Sequence, residues 1–221
     1  MTRIFVEGLP GAGKTTTSKA LRKRNVPVAR DFGLANGAED YPGNGKTIEE
    51  ILAIDDWFIE KEAQRMESTE GIFDRSYLGN LTYAYAYGRF LGLNSLKPTT
   101  KKYEHAISIG QLALPEGLVY IDIDSELSIE RQHKRTSEGI PLLDEFWQDK
   151  HFLNDLRDSH TALFNSCSNI SIVTISGESE PDIVASGIAD FYTGLNYSAA
   201  PLERRLDLGR FLNELEIQSA L

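Results

Sequence analysis

Apolar residues along the chain follow two rhythms that take turns. Short β-rich or continuously apolar runs at Thr2 to Glu7, Val26 to Arg30, Gly71 to Ser76, Leu118 to Ile123 and Ile170 to Ile175 predict strands. Between them, Lys14 to Arg24, Ile48 to about Ser68, Tyr77 to Phe90, residues 99 to 113, Ser125 to Arg135, Leu142 to Phe164 and Pro181 to Phe191 predict helices. The helix from Ile48 opens on a capping box, Thr47 with Glu50, and repeats its apolar positions at Ile51, Ile54, Phe58 and Ile59. The run from Leu118 is apolar on both faces, as a strand buried in a parallel sheet is. Strand and helix alternate without repeat, linker or low-complexity tract, which predicts a single α/β domain. From Gly194 the character changes, and Pro201 to Leu215 reads as a charged amphipathic helix that could cap the domain or pair with another copy.

The chemistry concentrates where the first strand meets the first helix. Glu7-Gly8-Leu9-Pro10-Gly11-Ala12-Gly13-Lys14-Thr15-Thr16-Thr17 satisfies the phosphate-binding loop pattern, with strand before and helix after as that pattern requires. Backbone N–H groups can curl around a polyphosphate only where side chains leave room or φ turns positive, which Gly8, Gly11 and Gly13 allow. Gly8, Leu9, Pro10, Gly11, Ala12, Gly13, Lys14, Thr15 and Thr16 are therefore the expected nucleotide-binding residues. Lys14 would reach the β- and γ-phosphates and Thr15 would ligate Mg²⁺, with the helix dipole adding positive potential. ATP and Mg²⁺ are the expected cofactors.

Further candidates sit at strand ends. Asp31 follows the second strand, where open α/β sheets place ligands, and competes with a simple capping role. Asp74 closes the third strand as a candidate Mg²⁺ partner through water, and Arg75 beside it can neutralise a phosphoryl group. The stretch 33 to 46, with Gly33, Gly37, Gly43 and Gly45 beside Tyr41-Pro42, predicts a long functional loop. Trp57 on the helix behind it would pack in the core or stack on a flat ligand. Tyr83 and Tyr87 share one helix face, so one of them at least should be core. Arg131, His133, Lys134 and Arg135 before Gly139-Ile140-Pro141 predict a lid carrying cations onto a transferring phosphate. His105, His133, His151 and His160 show neither metal spacing nor a nucleophile partner.

Bulk properties narrow the partners. The 221 residues carry a formal charge of −10, which argues against a nucleic-acid backbone as partner. Cys167 is the single cysteine, so neither a disulfide nor a cysteine metal site forms within the chain. The start is charged too soon for a signal peptide, and no apolar run approaches a membrane span, so a cytoplasmic protein with no membrane partner is expected.

On these residues the chain resembles the P-loop kinases of nucleosides and nucleotides, and within them the deoxynucleoside kinase and thymidylate kinase group. The run from Phe5 to Thr16 looks like both at the first strand. Arg30-Asp31-Phe32-Gly33 is similar to the Arg-Glu-Pro-Gly of thymidylate kinases, and its acid stands where deoxynucleoside kinases place the Glu that takes the proton from the attacking hydroxyl. Asp74-Arg75-Ser76 looks like the Glu-Arg-Ser of deoxynucleoside kinases and the Asp-Arg-Tyr of thymidylate kinases. Glu130 to Arg135, then Glu138 to Leu142, is similar to the deoxynucleoside kinase lid. Asp replaces Glu at positions 31 and 74.

The resemblance implies a five-stranded parallel sheet in the order 2-3-1-4-5 with helices on both sides, in a kinase domain expected over 1–193 with its lid at about 131–142; the segment 194–221, expected as a helical extension, has no counterpart in it. It implies ATP-dependent transfer to a nucleoside-like molecule; Lys14, Asp31, Arg75, Arg131 and Arg135 are the expected catalytic residues, and Asp31, Tyr41, Trp57, Arg75 and Tyr83 are those expected against the acceptor. The alternatives are a thymidylate-type monophosphate kinase, a kinase of another hydroxyl compound such as an antibiotic or sugar, and a regulatory NTPase. The lid speaks against the last, because a switch needs no pocket closing over a second substrate.

Overall fold

A strand buried on both faces must be covered on both, and β1 (Arg3–Glu7) shows how the chain arranges this. A computed structural model describes residues 2–29, 42, 45–67, 70–139, 143–196 and 203–219. In it β1 is the centre of a five-stranded parallel sheet, with β3 (Gly71–Asp74) on one side and β4 (Gly117–Asp122) on the other. Two-residue β2 (Val28–Ala29) pairs outside β3, and β6 (Ser171–Ser176) outside β4. The expected order 2-3-1-4-5 is the order found, with β6 in fifth place because Cys167–Ser168 forms a short extra strand, β5.

Period-two alternation sorts the strand residues between two cores. Phe5, Phe73 and Leu118 point to one side, where α3 (Tyr77–Leu91), α4 (Leu96–Ser108) and the second half of α6 (Lys150–Asn165) cover them. Ile4, Val6, Ile72, Val119 and Ile121 point to the other, against α1 (Lys14–Lys23), α7 (Pro181–Asn196) and the first half of α6. The helix α2 (Ile48–Glu67) packs alongside α4 and α3. Thr47 caps it through Oγ, which accepts from the N–H of Glu50.

Three helical expectations shift, each for a local reason. The helix expected at 99–113 runs Leu96–Ser108; Pro98 is tolerated because the N–H groups of a first turn have no intrahelical partner. The helix expected over Leu142 to Phe164 is divided. A 3₁₀ turn at Glu145–Gln148 precedes Asp149, whose Oδ1 accepts from the N–H of Phe152 at 2.8 Å and so starts α6 afresh. The helix expected at Pro201 to Leu215 is α8 (Leu208–Ser219), capped by Asp207 Oδ1 on the N–H of Arg210.

Before α8, β7 (Arg205–Leu206) pairs antiparallel with β5, tying the C-terminal segment to the chain after α6. Leu208, Phe211 and Leu215 then insert into the same core as Phe5 and Tyr77. The boundary expected at 193/194 falls inside α7, and α8 caps the domain. Among the described residues no helix is long and apolar enough to cross a membrane.

Phe211 is fully buried, so Phe211→Ala should cost on the order of 3–5 kcal/mol of stability, read by urea unfolding. A loss within about 0.5 kcal/mol would mean that α8 is a surface appendage.

Candidate active site

Parallel pairing sets the ends of β1, β3 and β4 level with one another: Val6 lies opposite Asp74 on β3, and Glu7 opposite Tyr120 on β4. The phosphate loop leaves β1 at this edge. Its first glycine, Gly8, has φ 150°, and a Cβ there would meet the Ile121 carbonyl oxygen at 2.5 Å, so only glycine lets the loop run this close to β4.

Each carbonyl from Gly8 to Gly11 has a donor. Lys14 Nζ, almost wholly buried, donates to Gly8 O at 2.5 Å and Leu9 O at 2.9 Å. Ser128 Oγ on α5 (Ser125–Ser137) donates to Pro10 O at 2.7 Å, and Arg131 Nη1 donates to Gly11 O at 3.1 Å and Gly177 O at 2.8 Å. Satisfied carbonyls hold the peptide planes still, which a backbone cradle for anions needs. Thr15 and Thr16 are exposed at the start of α1, while Thr17 and Ser18 point inward.

Beside the loop, β3 ends in a tight turn. Asp74 is buried, and its Oδ2 accepts from Ser18 Oγ at 3.0 Å, which ties β3 to α1. Arg75 follows in a left-handed backbone, φ 64°, with its N–H donating to Val6 O at 3.1 Å. Ser76 accepts from the N–H of Leu78 to cap α3 and donates its hydroxyl to Glu7 Oε1 at 2.6 Å. Glu7 was not among the expected site residues, yet it joins both halves of the site. Its carboxylate fits because residue 79 is glycine: a Cβ there would lie 2.7 Å from Glu7 Oε2. Burial pushes its pKa up to about 7, against the lowering effects of the Ser76 hydroxyl, Lys14 and Arg75.

The donor set suits Mg²⁺ bound through a nucleotide. No cluster of three or more His, Cys, Asp or Glu side chains able to hold a metal exists among the described residues, while Asp74 and Thr15 offer hard oxygens at the loop's edge. One carboxylate and one hydroxyl, completed by phosphates and water, is the way Mg²⁺ is commonly held.

The remaining candidates divide. Asp31 and Tyr41 lie outside the described residues, as do Ile140, Pro141 and Leu142 of the expected lid. Trp57 is half-buried on α2, edge-on to Phe58 at 5.0 Å, with Lys61 Nζ 5.5 Å over its ring. Tyr83 is edge-on to Trp147 at 5.2 Å, and Tyr87 packs on Phe146 and Phe152, so both join the aromatic cluster under the 3₁₀ turn. Arg135 is exposed in the last turn of α5, whereas Arg131 is bonded to loop carbonyls. His160 is buried against Tyr120, with burial holding its pKa down at about 4.

A family model described as an AAA domain matches residues 3–112. The fold is shared with solved structures of deoxyadenosine kinase from M. mycoides. The structure with products dCMP and a flexible dCDP bound superposes at TM-score 0.64, with 16% identity over 88% of this chain and 100% of that one. The likeness is one of fold, a five-stranded parallel sheet with a phosphate loop leaving its central strand. The structures with dATP and with dCTP bound give TM-scores of 0.63 and 0.63, at 15% and 17% identity, over 87% and 89% of this chain and all of theirs. No curated protein sequence matches it.

Glu7 makes part of the fold's stability depend on pH. Between its ordinary value of 4.5 and about 7 the folded protein keeps a proton that the unfolded chain has released, so stability falls as pH rises through that window. Asp55, buried on α2 with its Oδ2 accepting from Thr99 Oγ1, is raised to about 6 and adds the same sign at lower pH. Between about pH 6 and 7, wild type should therefore lose up to roughly 1.4 kcal/mol per pH unit relative to Glu7→Gln, measured by urea unfolding. Parallel curves for the two proteins would refute the buried-acid assignment.

Proposed function

We propose that the chain is an ATP-dependent phosphotransferase that moves the γ-phosphoryl of ATP onto a nucleoside-like small molecule. The observation that carries this is the shared edge of β1 and β3. A complete phosphate loop, a buried acid at Asp74 and a cation at Arg75 stand on adjacent strands, bound together through Ser18, Val6 and Glu7. Phosphoryl transfer requires positioning and charge neutralisation more than covalent help, and these are the groups for it.

The residues divide the work. The loop amides, with Lys14, bind the triphosphate and hold the γ-phosphoryl in place. Thr15 and Asp74 would hold Mg²⁺, which would supply charge neutralisation to the phosphates. Arg75 and Arg135 offset charge on the transferring group, while Arg131 braces the loop through Gly11 and Gly177. Asp31 comes two residues after β2 in the sequence and is the acid proposed for the acceptor side. It would take the proton of an acceptor hydroxyl, and Tyr41, Trp57 and Tyr83 are the aromatic residues proposed to meet a base, Tyr83 by leaving its contact with Trp147. The deoxyadenosine kinase likeness over that enzyme's whole length supports a nucleoside acceptor.

The direct test incubates purified protein and MgATP with a panel of nucleosides and nucleoside monophosphates. Lys14→Ala should abolish transfer, because the lost ammonium binds phosphates and also braces the loop. Turnover near wild type in that variant would end the kinase reading.

Asp31→Asn distinguishes the acceptor class. A hydroxyl must lose its proton, whereas a phosphate is already ionised at neutral pH. On the best nucleoside Asp31→Asn should lose at least ~10²-fold in kcat. Preference for a monophosphate, with Asp31→Asn as fast as wild type, would move the protein to the nucleotide kinases.

A further inference from the structure

Arg75 is one of three described non-glycine residues with positive φ, and it stands in the middle of the site. A side chain rarely adopts that backbone unless its surroundings hold it there. Its N–H is held by Val6 O. Its carbonyl is held from the opposite side, by a residue far from the phosphate loop: Arg65, in the last turn of α2, whose Nη2 donates to Arg75 O at 2.8 Å.

Arg65 is itself fixed. Its Nη2 lies 2.9 and 2.8 Å from the two oxygens of Glu62, one turn back on α2, and its guanidinium carbon sits 4.7 Å above the ring of Phe73 on β3. The Glu62 side chain is wholly buried and that of Arg65 is 10% exposed. Burial raises the pKa of Glu62, and the backbone amide of Tyr77, the first residue of α3, is among the groups that lower it. One buried ion pair therefore grips the turn through the Arg75 carbonyl, with its carboxylate electrostatically coupled to the start of α3. Surface pairs contribute little and are easily lost, but a buried guanidinium bonded to a carboxylate and a carbonyl is rigid.

We infer that Arg65, oriented by Glu62, is a positioning residue for phosphoryl transfer: it holds the left-handed backbone at Arg75 and so presents the Arg75 guanidinium to the transferring group. This rests on the kinase reading above. The claim concerns the aim of one cation, not the binding of nucleotide, which the loop and Lys14 provide. Loss of the pair should then lower turnover and leave nucleotide affinity nearly alone.

Removing only Arg65 would leave Glu62 buried and unpaired, which can unfold the protein. The test therefore uses the neutral pair Glu62→Gln with Arg65→Met, together with Arg75→Ala and the combination of all three. The readouts are kcat and KM for transfer from MgATP to the best nucleoside in the panel, binding of ADP, and amide exchange over residues 74–78. The neutral pair should lose about 10-fold or more in kcat, keep ADP affinity within about 3-fold, and exchange faster at 75 and 77 but not along the middle of α3. In the Arg75→Ala background the same pair should cost nothing further, because its effect passes through the missing guanidinium.

Equal kcat losses in both backgrounds would overturn the inference, as would unchanged exchange over 74–78. Arg75→Ala as fast as wild type would overturn it too. No transfer by the wild-type protein to any nucleoside or monophosphate would instead sink the kinase reading, and with it the role for Arg65, even if exchange showed the clamp itself to be real.

Discussion

The register between β1 and β3 is the constraint on which the site depends. Parallel pairing of Val6 with Asp74 makes both strands end at one level, and a chain that ends level can turn sharply into two helices side by side. From that single alignment follow the Ser18 to Asp74 bond, the Arg75 amide on Val6 and the Ser76 to Glu7 bond. A slip of β3 by one residue would turn Phe73 away from Phe5, to the wrong core, as well as separating the acid from the loop. The large side chains of the two cores therefore enforce the geometry of the chemistry.

Buried charge is the second organising feature. Glu7, Lys14, Glu62 and Asp74 are all removed from water, and each is joined to donors or acceptors: Glu7 and Asp74 to distant segments, Lys14 to the loop before it, Glu62 to Arg65 on its own helix. Unpaired, such groups would be strongly destabilising; paired, they cost their desolvation and return rigidity. Here they link β1, α1, α2, β3 and α3 around the mouth of the phosphate loop. Lys14 shows the balance plainly, since its ammonium bridges two carbonyls of the loop that it is expected to serve. The raised pKa of Glu7 shows the opposite side, a carboxyl whose burial outweighs a hydroxyl and two cations.

The C-terminal segment completes the fold by ordinary packing. Leu208, Phe211 and Leu215 close the core over α4 and α6, and the β5–β7 pair ties their approach to the sheet side of α6. Covering that face protects the aromatic layer of Tyr77 and Tyr103, whose rings stack at 5.8 Å beneath the start of α3. The site's turn and the C-terminal helix thus belong to one packed body.

Much of this was legible in residue order alone. The phosphate loop is a local device, written in consecutive glycines and a Lys-Thr pair, and the strand and helix around it follow from short-range pattern. So does the alternation of strands with helices in one α/β domain, whereas the sheet's strand order is what the resemblance implies. What local pattern misses is partnership across long separations. Nothing near residue 7 announces that Glu7 will meet Ser76, or that Gly79 must lack a side chain to admit it. Arg65 and Glu62 look like an ordinary helix-surface pair at three-residue spacing until α2 docks on β3 and buries them. Asp149 divides a helix that periodicity joins, because capping competes with propagation only when the flanking turn packs. Sequence thus determined which chemical groups the protein has and the strands they end; tertiary structure decided which of them meet, since burial and pairing are properties of contacts between distant segments.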